Sequence, residues 1–252
     1  MSMNKDTTQY FQSRGDDYAK FRPTYPVELA QSLETLVPQH KQALDVGCGN
    51  GQLTCLLAPF FEQVVGTDVS ANQLQHAASL DNVSYLHQRA EELELPDNSV
   101  DLIVVAQAAH WFDLALFYSQ VRRVATNHCV IALISYGVPY IKAPVNTIFQ
   151  QGYWQELHSF WPPERVHVET GYAELWFPFT ELELPNHSCQ KIMTFEEFVG
   201  YIKTWSAYTN AIEQQREDVF ALFFERLQNR WPHQQTLEVV WPISVRVGQV
   251  FD

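Results

Sequence analysis

The stretch ALDVGCGNG, residues 43–51, decides how the rest of the sequence is interpreted. Three glycines stand at alternate positions behind a short apolar run that carries Asp45 near its end. Because glycine has no Cβ, the turn over residues 47–51 can bend sharply and lets a ligand approach the main chain closely. The pattern predicts a buried strand followed by a ligand-binding turn.

Short apolar or β-branched runs alternate with helix-length segments up to about residue 136. The strand-like runs are QALDVG, VVGTDV, VSYLHQ, VDLIVVA and CVIALISY, and the helix-like segments are GQLTCLLAPFF, SANQLQHAASL and LALFYSQVRRVA. This βαβα order predicts a doubly wound parallel sheet whose ligand lies beyond the carboxyl ends of the strands. The glycine turn follows the first strand, at the switch point where such ligands bind.

The chain changes character after residue 137, where Trp, Pro and Phe are frequent and the alternation stops. TELELPNHSCQKI and LEVVWPISVRV predict two more strands, and TFEEFVGYIKTW and NAIEQQREDVFALFFERLQNRW predict two helices. With residues 138–176, these helices are too much material for simple connections, so we expect a cap over the strand ends. One structural domain is expected, with residues 1–137 forming the N-terminal segment and ligand-binding core, and residues 138–252 the cap and the last two strands.

The composition of the chain limits which partners it is expected to bind and where in the cell it is expected to be. The formal charge of −13 opposes the counterion release that drives nucleic-acid binding, and no run of about 18 apolar residues is available to span a membrane. The first twenty residues lack the apolar core of a secretion signal, and the four cysteines form neither a CxxC pair nor a disulfide pattern. We therefore expect a cytoplasmic monomer or weak homodimer that binds a small molecule and has no metal site.

Two cofactor classes fit a glycine turn of this kind. A dinucleotide requires G-x-G-x-x-G, whose third glycine would fall at Gln52, and the carboxylate of Asp45 would repel a pyrophosphate. The same carboxylate suits a ligand that carries an amino group and a sulfonium. Asp68, at the end of the second strand, can accept hydrogen bonds from both ribose hydroxyls in either class. Asp45 is thus the discriminating residue, and an NAD-dependent dehydrogenase is the weaker alternative.

At these residues the chain resembles the class I S-adenosylmethionine-dependent methyltransferases of the type 11-like group. ALDVGCGNG, VVGTDVS and LPDNSVDLIVVAQAAHWFD match the motifs of the first, second and fourth strands, over about residues 40–135. YAKFRPTYP, AAHWFD and TFEEFVGYIKTWSAY are similar to the small-molecule branch that contains trans-aconitate methyltransferase. The resemblance implies a Rossmann-like α/β fold with a doubly wound, seven-stranded, mostly parallel sheet, an antiparallel last strand and a mainly helical C-terminal cap.

The resemblance also implies S-adenosylmethionine as cofactor and a binding role for each matched position. The methionine part of the cofactor would be surrounded by Asp45, Gly47, Cys48 and Gly49. The ribose and adenine would be held by Asp68, Val69, Gln73, Ala90 and Glu91. Gln107 would face the sulfonium side.

Two arginines, Arg22 and Arg89, bear on how the cofactor would be recognised. Arg22 offers a guanidinium fork that matches the carboxylate of the cofactor, with Tyr18 and Tyr25 as aromatic walls beside it. Arg89 stands where the family often has an acid that accepts from the adenine amine, so recognition of the adenine departs from the family pattern here.

His110 is the candidate catalytic base if the acceptor must lose a proton, because it follows the fourth strand and histidine titrates near neutrality. A carboxylate acceptor, which the branch comparison implies, needs no base. An anionic acceptor would need a cation from the cap, for which Lys142, Arg165 and Lys203 are available.

The expected function is methyl transfer to a small-molecule acceptor, with O-methylation of a carboxylic acid as the first choice. Methylation of nitrogen, carbon or sulfur would use the same cofactor motifs and stays open. A regulatory module that binds the cofactor without transferring its methyl group is the alternative from another functional class.

Overall fold

The structure of the chain is a computed structural model that describes residues 21–232 and 235–251. One mixed β-sheet forms its centre. The strands are β1 (Gln42–Val46), β2 (Gln63–Asp68), β3 (Val83–His87), β4 (Val100–Ala106), β5 (Ala125–Tyr136), β6 (Tyr140–Ile141), β7 (Thr180–Leu182), β8 (His187–Met193) and β9 (Leu237–Gln249). The α-helices are α1 (Val27–Glu34), α2 (Gln52–Leu57), α3 (Ala71–Gln75), α4 (Leu114–Val124), α5 (Asn146–Gly152), α6 (Arg165–Glu169), α7 (Phe195–Lys203), α8 (Ser206–Glu213) and α9 (Glu217–Gln228).

The parallel part of the sheet has the strand order β3-β2-β1-β4-β5. β9 pairs antiparallel with β5 through residues 243–249, and β6 continues along the same edge of β9 at residues 239–240. Because that edge is occupied, β7 and β8 pair with the opposite edge of β9. The predicted doubly wound, mostly parallel sheet with an antiparallel last strand is confirmed.

The strand count differs from the predicted seven because the described residues contain nine strands. The predicted sixth strand is divided into β7 and β8, which share one edge of β9. Pro185 lies in the gap between them, and proline has no N–H to donate to a sheet ladder. β6 is the other addition, a two-residue extension beyond β5.

Two predicted helices are also shorter than the sequence pattern indicates. The segment over residues 70–80 forms only α3, which ends at Gln75. The segment over residues 210–231 is divided into α8 and α9, and Gln215 between them has a left-handed backbone with φ of 58°. Hydrophobic periodicity continues through that break, so the sequence pattern does not reveal it.

Both faces of the central strands are covered, as parallel sheets require. Leu102 and Val104 of β4 pack into the hydrophobic cluster that also contains the cap aromatics Phe149 and Trp205. Ile103 and Val105 of β4 pack into a second cluster on the opposite face. The cap is therefore joined to the core by continuous apolar packing.

A buried carboxylate connects the starts of three strands. Asp101 in β4 is 2% exposed, and its Oδ2 accepts hydrogen bonds from the backbone N–H groups of Lys41 (2.9 Å) and Gln42 (3.2 Å). Its Oδ1 accepts from the Thr126 hydroxyl at 3.0 Å. The side chain thus fixes the starts of β1 and β5 against β4.

We predict that Asp101→Ala lowers the free energy of unfolding by about 2–3 kcal/mol, because hydrogen bonds to a charged group contribute most when they are buried. Urea denaturation measures this change. The exposed Asp81 provides a matched control, and Asp81→Ala should change stability by less than about 0.5 kcal/mol. Equal denaturation midpoints for the two variants would contradict the structural role of Asp101.

Candidate active site

The glycine turn between β1 and α2 has a left-handed backbone at alternate positions, with φ of 71° at Gly47, 57° at Gly49 and 79° at Gly51. A Cβ on Gly47 would lie 2.5 Å from the Cβ of Ala108, and one on Gly51 would lie 2.2 Å from the Tyr85 hydroxyl. A Cβ on Gly49 would meet no atom within 4 Å. Gly47 and Gly51 are therefore required by packing, whereas the space beside Gly49 is open to a ligand.

Asp68, at the end of β2, holds this turn in place. Its Oδ2 accepts from the N–H of Gly49 at 2.8 Å, and its Oδ1 accepts from the N–H of Ser70 at 2.7 Å. Burial raises the pKa of the carboxyl, and these backbone hydrogen bonds oppose the rise. Each carboxylate oxygen has a second lone pair, so Asp68 can hold the turn and accept from a ligand at once.

Asp45, at the end of β1, is 1% exposed. Its Oδ2 accepts from the Thr54 hydroxyl at 2.7 Å, while its Oδ1 has no partner among the described residues. Burial chiefly, together with the negative charge of Asp68, raises the pKa of Asp45 to about 7 although the Thr54 hydrogen bond lowers it. A buried carboxyl with an unpaired oxygen suits a cationic ligand, because a positive charge stabilises the ionised form.

One cavity lies beyond the carboxyl ends of β1, β2, β4 and β5. Ten of the twelve site residues predicted from the sequence line it: Arg22, Asp45, Gly47, Cys48, Gly49, Asp68, Val69, Gln73, Ala90 and Gln107. Glu91 and His110 do not line it. Tyr18, predicted as an aromatic wall, lies outside the described residues.

Gln107 and Arg22 both reach Tyr136 at the edge of the cavity. Gln107 directly follows β4 and has a left-handed backbone with φ of 59°, and its Nε2 donates to the carbonyl of Tyr136 at 3.1 Å. Arg22 donates from Nη1 to the Tyr136 hydroxyl (3.2 Å) and from Nε and Nη2 to the side chain and carbonyl of Thr204 (3.0 and 3.2 Å). These bonds fasten the segment around Arg22 to the cap, and its role toward the cofactor carboxylate stays a prediction.

Glu91 is tied to the protein rather than to the cavity. Its Oε1 accepts from the N–H of Asp113 at 3.0 Å, and its Oε2 lies 3.3 Å from Nε of Arg89. Asp113 in turn caps the start of α4. Glu91 therefore supports the start of that helix, and its contact with adenine stays a prediction.

His110 lies one layer away from the cavity, beside Trp111, which lines it. Its Nδ1 is 2.9 Å from the Tyr172 hydroxyl. Burial chiefly, together with the nearby positive charge of Arg165, lowers the pKa of His110 to about 3. The imidazole is therefore neutral at pH 7 and a weak base, and its catalytic role stays a prediction.

The cavity also contains residues to which the sequence analysis gave no role at this site. They are Pro23, Asn50, Gln52, Leu53, Gln88, Ala106, Ala108, Trp111, Phe112 and Tyr136. The position of AAHWFD directly after a strand was the signal for Trp111 and Phe112. No comparable signal marked Gln88, whose Nε2 is buried without a partner among the described residues. Gln88 thus offers a hydrogen-bond donor to the cavity next to Ala90. The side chain of Arg89, between these two residues, is 64% exposed and does not line the cavity.

Comparisons with known proteins identify the family. A family model described as a methyltransferase domain matches residues 44–133. A protein of Dictyostelium discoideum that is named as a methyltransferase is 34% identical over 221 residues, which cover 86% of this chain and 84% of that protein. The chain belongs to the S-adenosylmethionine-dependent methyltransferases.

Two further relatives agree with this assignment. A protein of Saccharomyces cerevisiae named as an S-adenosylmethionine-dependent methyltransferase is 23% identical, over 84% of this chain and 86% of its own length. A solved structure from Anaeromyxobacter dehalogenans, described as a type II methyltransferase, superposes with a TM-score of 0.86 at 40% identity, over 92% of this chain and 99% of that one. None of these names specifies a methyl acceptor.

The cofactor of this methyltransferase is S-adenosylmethionine, which supplies a methyl group on a positively charged sulfur. The site fits it in two respects: the space beside Gly49 is open, and Oδ1 of the buried Asp45 is unpaired. Asp45 would hold the cationic end of the cofactor, and Asp68 its ribose. Because methyl transfer is an in-line displacement, the remaining task of the protein is to align the acceptor and exclude water.

Residues 21–232 and 235–251 contain neither a cluster of metal ligands nor a membrane-spanning helix. No group of three His, Cys, Asp or Glu side chains there is arranged to hold a metal ion. None of the helices in that part of the chain combines the length and apolarity needed to cross a bilayer.

We predict that S-adenosylhomocysteine binds about tenfold more tightly at pH 8 than at pH 6, because ionisation of Asp45 near pH 7 creates the charge that attracts the ligand's ammonium group. Calorimetric titration measures the affinity, and Asp45→Asn should bind weakly without this pH dependence.

The stability of the unliganded protein should depend on pH in the opposite direction, falling as the pH rises. The carboxyl contributes stability below its unfolded pKa of 3.8, and this contribution is lost as the pH rises through about 7.

Substitutions at two neighbouring glycines should have different effects. Gly49→Val should abolish measurable binding of S-adenosylhomocysteine because its side chain fills the open space, while the left-handed backbone costs about 1–2 kcal/mol of stability. Gly47→Ala should destabilise the fold further, because its Cβ collides with Ala108. Binding and thermal melting are measured on both variants. Unchanged affinity in Gly49→Val would exclude the turn from the cofactor site.

Proposed function

We propose that this methyltransferase transfers the methyl group to an oxygen of a small carboxylic acid of the trans-aconitate type. The observation that carries this proposal is the state of His110, the ionisable group beside the aromatic side of the cavity. With a pKa lowered to about 3 and its Nδ1 hydrogen-bonded to Tyr172, His110 cannot take a proton readily at neutral pH. A carboxylate is already ionised at that pH and attacks without a base.

The walls of the cavity support a small, enclosed acceptor. Trp111, Phe112 and Tyr136 line it, and the ring of Tyr25 lies 6.0 Å from that of Tyr136. Arg22 closes the N-terminal segment against the cap at this point. Apolar walls exclude water from the reacting atoms, and they suit a small molecule better than a polymer.

The cysteines of the chain bear on the cellular compartment in which the enzyme acts. Cys48, Cys55, Cys129 and Cys189 are all unpaired, as is usual in a reducing compartment. We place the enzyme in the cytoplasm on this ground. Its state as a monomer or weak homodimer is proposed from the sequence alone.

The test is to incubate the protein with S-adenosylmethionine and separate pools of carboxylic acids, amines and thiols, with trans-aconitate in the first pool. Formation of S-adenosylhomocysteine measures turnover, and mass spectrometry with alkaline hydrolysis identifies methyl esters. We expect esters of carboxylic acids. Products from amines or thiols alone would refute the oxygen acceptor, and tight cofactor binding without any product would favour the regulatory alternative.

His110→Asn is the matched control for a base. Loss of a general base reduces kcat by about 10²–10⁴-fold, whereas we expect less than about a tenfold decrease for this variant with a carboxylic acid. A larger decrease, with melting temperature unchanged, would show that His110 is catalytic and that the acceptor must lose a proton.

A further inference from the structure

The strand order of the parallel sheet arranges the polar residues of the cofactor cavity along one edge. Asp45 belongs to β1, Asp68 ends β2 and Gln88 directly follows β3, and these strands are neighbours in the order β3-β2-β1. Asp68 is in register with His87, and its carbonyl accepts from the N–H of Gln88 at 3.1 Å. If Asp68 holds the ribose, the attached base lies toward the end of β3, where Gln88 and Ala90 line the cavity.

The carboxamide of Gln88 is held in one orientation. Its Oε1 accepts from the N–H of Glu94 at 3.0 Å, and because an N–H can only donate, this bond distinguishes the oxygen from the nitrogen. Nε2 is buried and has no partner among the described residues. Oε1 has a second lone pair, so the group retains both a donor and an acceptor. Since buried polar groups are nearly always paired in native proteins, the unpaired Nε2 points to a ligand.

The end of β3 offers no carboxylate to the cavity. In the described part of the chain, the acids that line the cavity are Asp45 and Asp68, which belong to β1 and β2. Glu91 does not line it, and its Oε2 lies 3.3 Å from Nε of Arg89. A neutral carboxamide, that of Gln88, therefore stands near the place where an acid would meet the exocyclic amine of adenine.

We propose that Gln88 recognises the adenine of the cofactor through both polar atoms, with Nε2 donating to a ring nitrogen and Oε1 accepting from the exocyclic amine. Adenine presents an acceptor beside a donor, and a glutamine carboxamide is complementary to that pair. Hypoxanthine has an oxygen in place of the amine, so its oxygen would face Oε1 without a hydrogen. Gln88 is thus a specificity-determining residue for the base, and this role does not depend on the identity of the methyl acceptor.

Calorimetric titration with S-adenosylhomocysteine and S-inosylhomocysteine, its hypoxanthine counterpart, measures the base preference without turnover. The wild-type protein should bind S-adenosylhomocysteine at least about tenfold more tightly. Gln88→Leu lacks both the donor and the acceptor, so it should lose this preference through weaker binding of S-adenosylhomocysteine. Gln75→Leu is the matched control and should retain the preference, because Gln75 is exposed on α3 and does not line the cavity.

Gln88→Glu tests the donor separately, because it preserves the shape and the acceptor oxygens while removing the N–H groups. At pH 8 the introduced carboxylate is ionised, and its second oxygen would face the ring nitrogen. We expect S-adenosylhomocysteine to bind about tenfold more weakly to this variant than to wild type. Unchanged or tighter binding would show that the amine alone is recognised, and it would overturn the donor role of Nε2.

The ratio of the two affinities separates base recognition from a merely structural role of Gln88. Loss of the Glu94 hydrogen bond alone would weaken both ligands equally and leave the ratio unchanged. An unchanged ratio in Gln88→Leu, or no preference in the wild-type protein, would therefore overturn the proposal. A ratio close to one in a variant that melts normally would support it. Gln88→Glu keeps the test decisive if Gln88→Leu folds poorly.

Discussion

The cofactor site depends on the carboxylate of Asp68, because its hydrogen bond from the N–H of Gly49 joins the glycine turn to the end of β2. The backbone N–H groups of Gly47 and Cys48 both donate to the carbonyl of Thr67, which extends the β1–β2 contact into the turn. Glycine samples many backbone conformations almost equally, so neighbours must select the left-handed one. These bonds do so, and they keep the space beside Gly49 open.

Charge is distributed unequally across the cavity. Asp45 and Asp68 lie at the cofactor side, where burial raises the pKa of both carboxyls. Arg165 lowers the pKa of His110, which lies beside the cavity residue Trp111. The acids attract the cationic cofactor. The buried, partly unpaired Asp45 destabilises the unliganded protein at high pH, and this is the usual cost of a site prepared for a charged ligand.

Local sequence patterns predicted most of the strands and helices correctly. The predictions were wrong where the backbone conformation or the strand pairing changes inside a continuous apolar pattern. The strands β1 to β4 were predicted within a residue or two because their apolar runs end at clear turn signals. The helix predicted over residues 210–231 is interrupted at Gln215, whose left-handed backbone has no signal in the hydrophobic periodicity. β7 and β8 were predicted as one strand, since pairing with a distant partner such as β9 is not a local property.

The sequence by itself determined the glycine turn, the two acids beside it and therefore the cofactor class, because backbone freedom and strand-end position are properties of a short segment. Only the tertiary structure decided which distant side chains meet around His110. Tyr172 and Arg165 come within reach of His110 because the cap folds back over the sheet. Burial and neighbouring charge, rather than residue type, then set the pKa of that histidine, because the energy of a charge depends on what surrounds it.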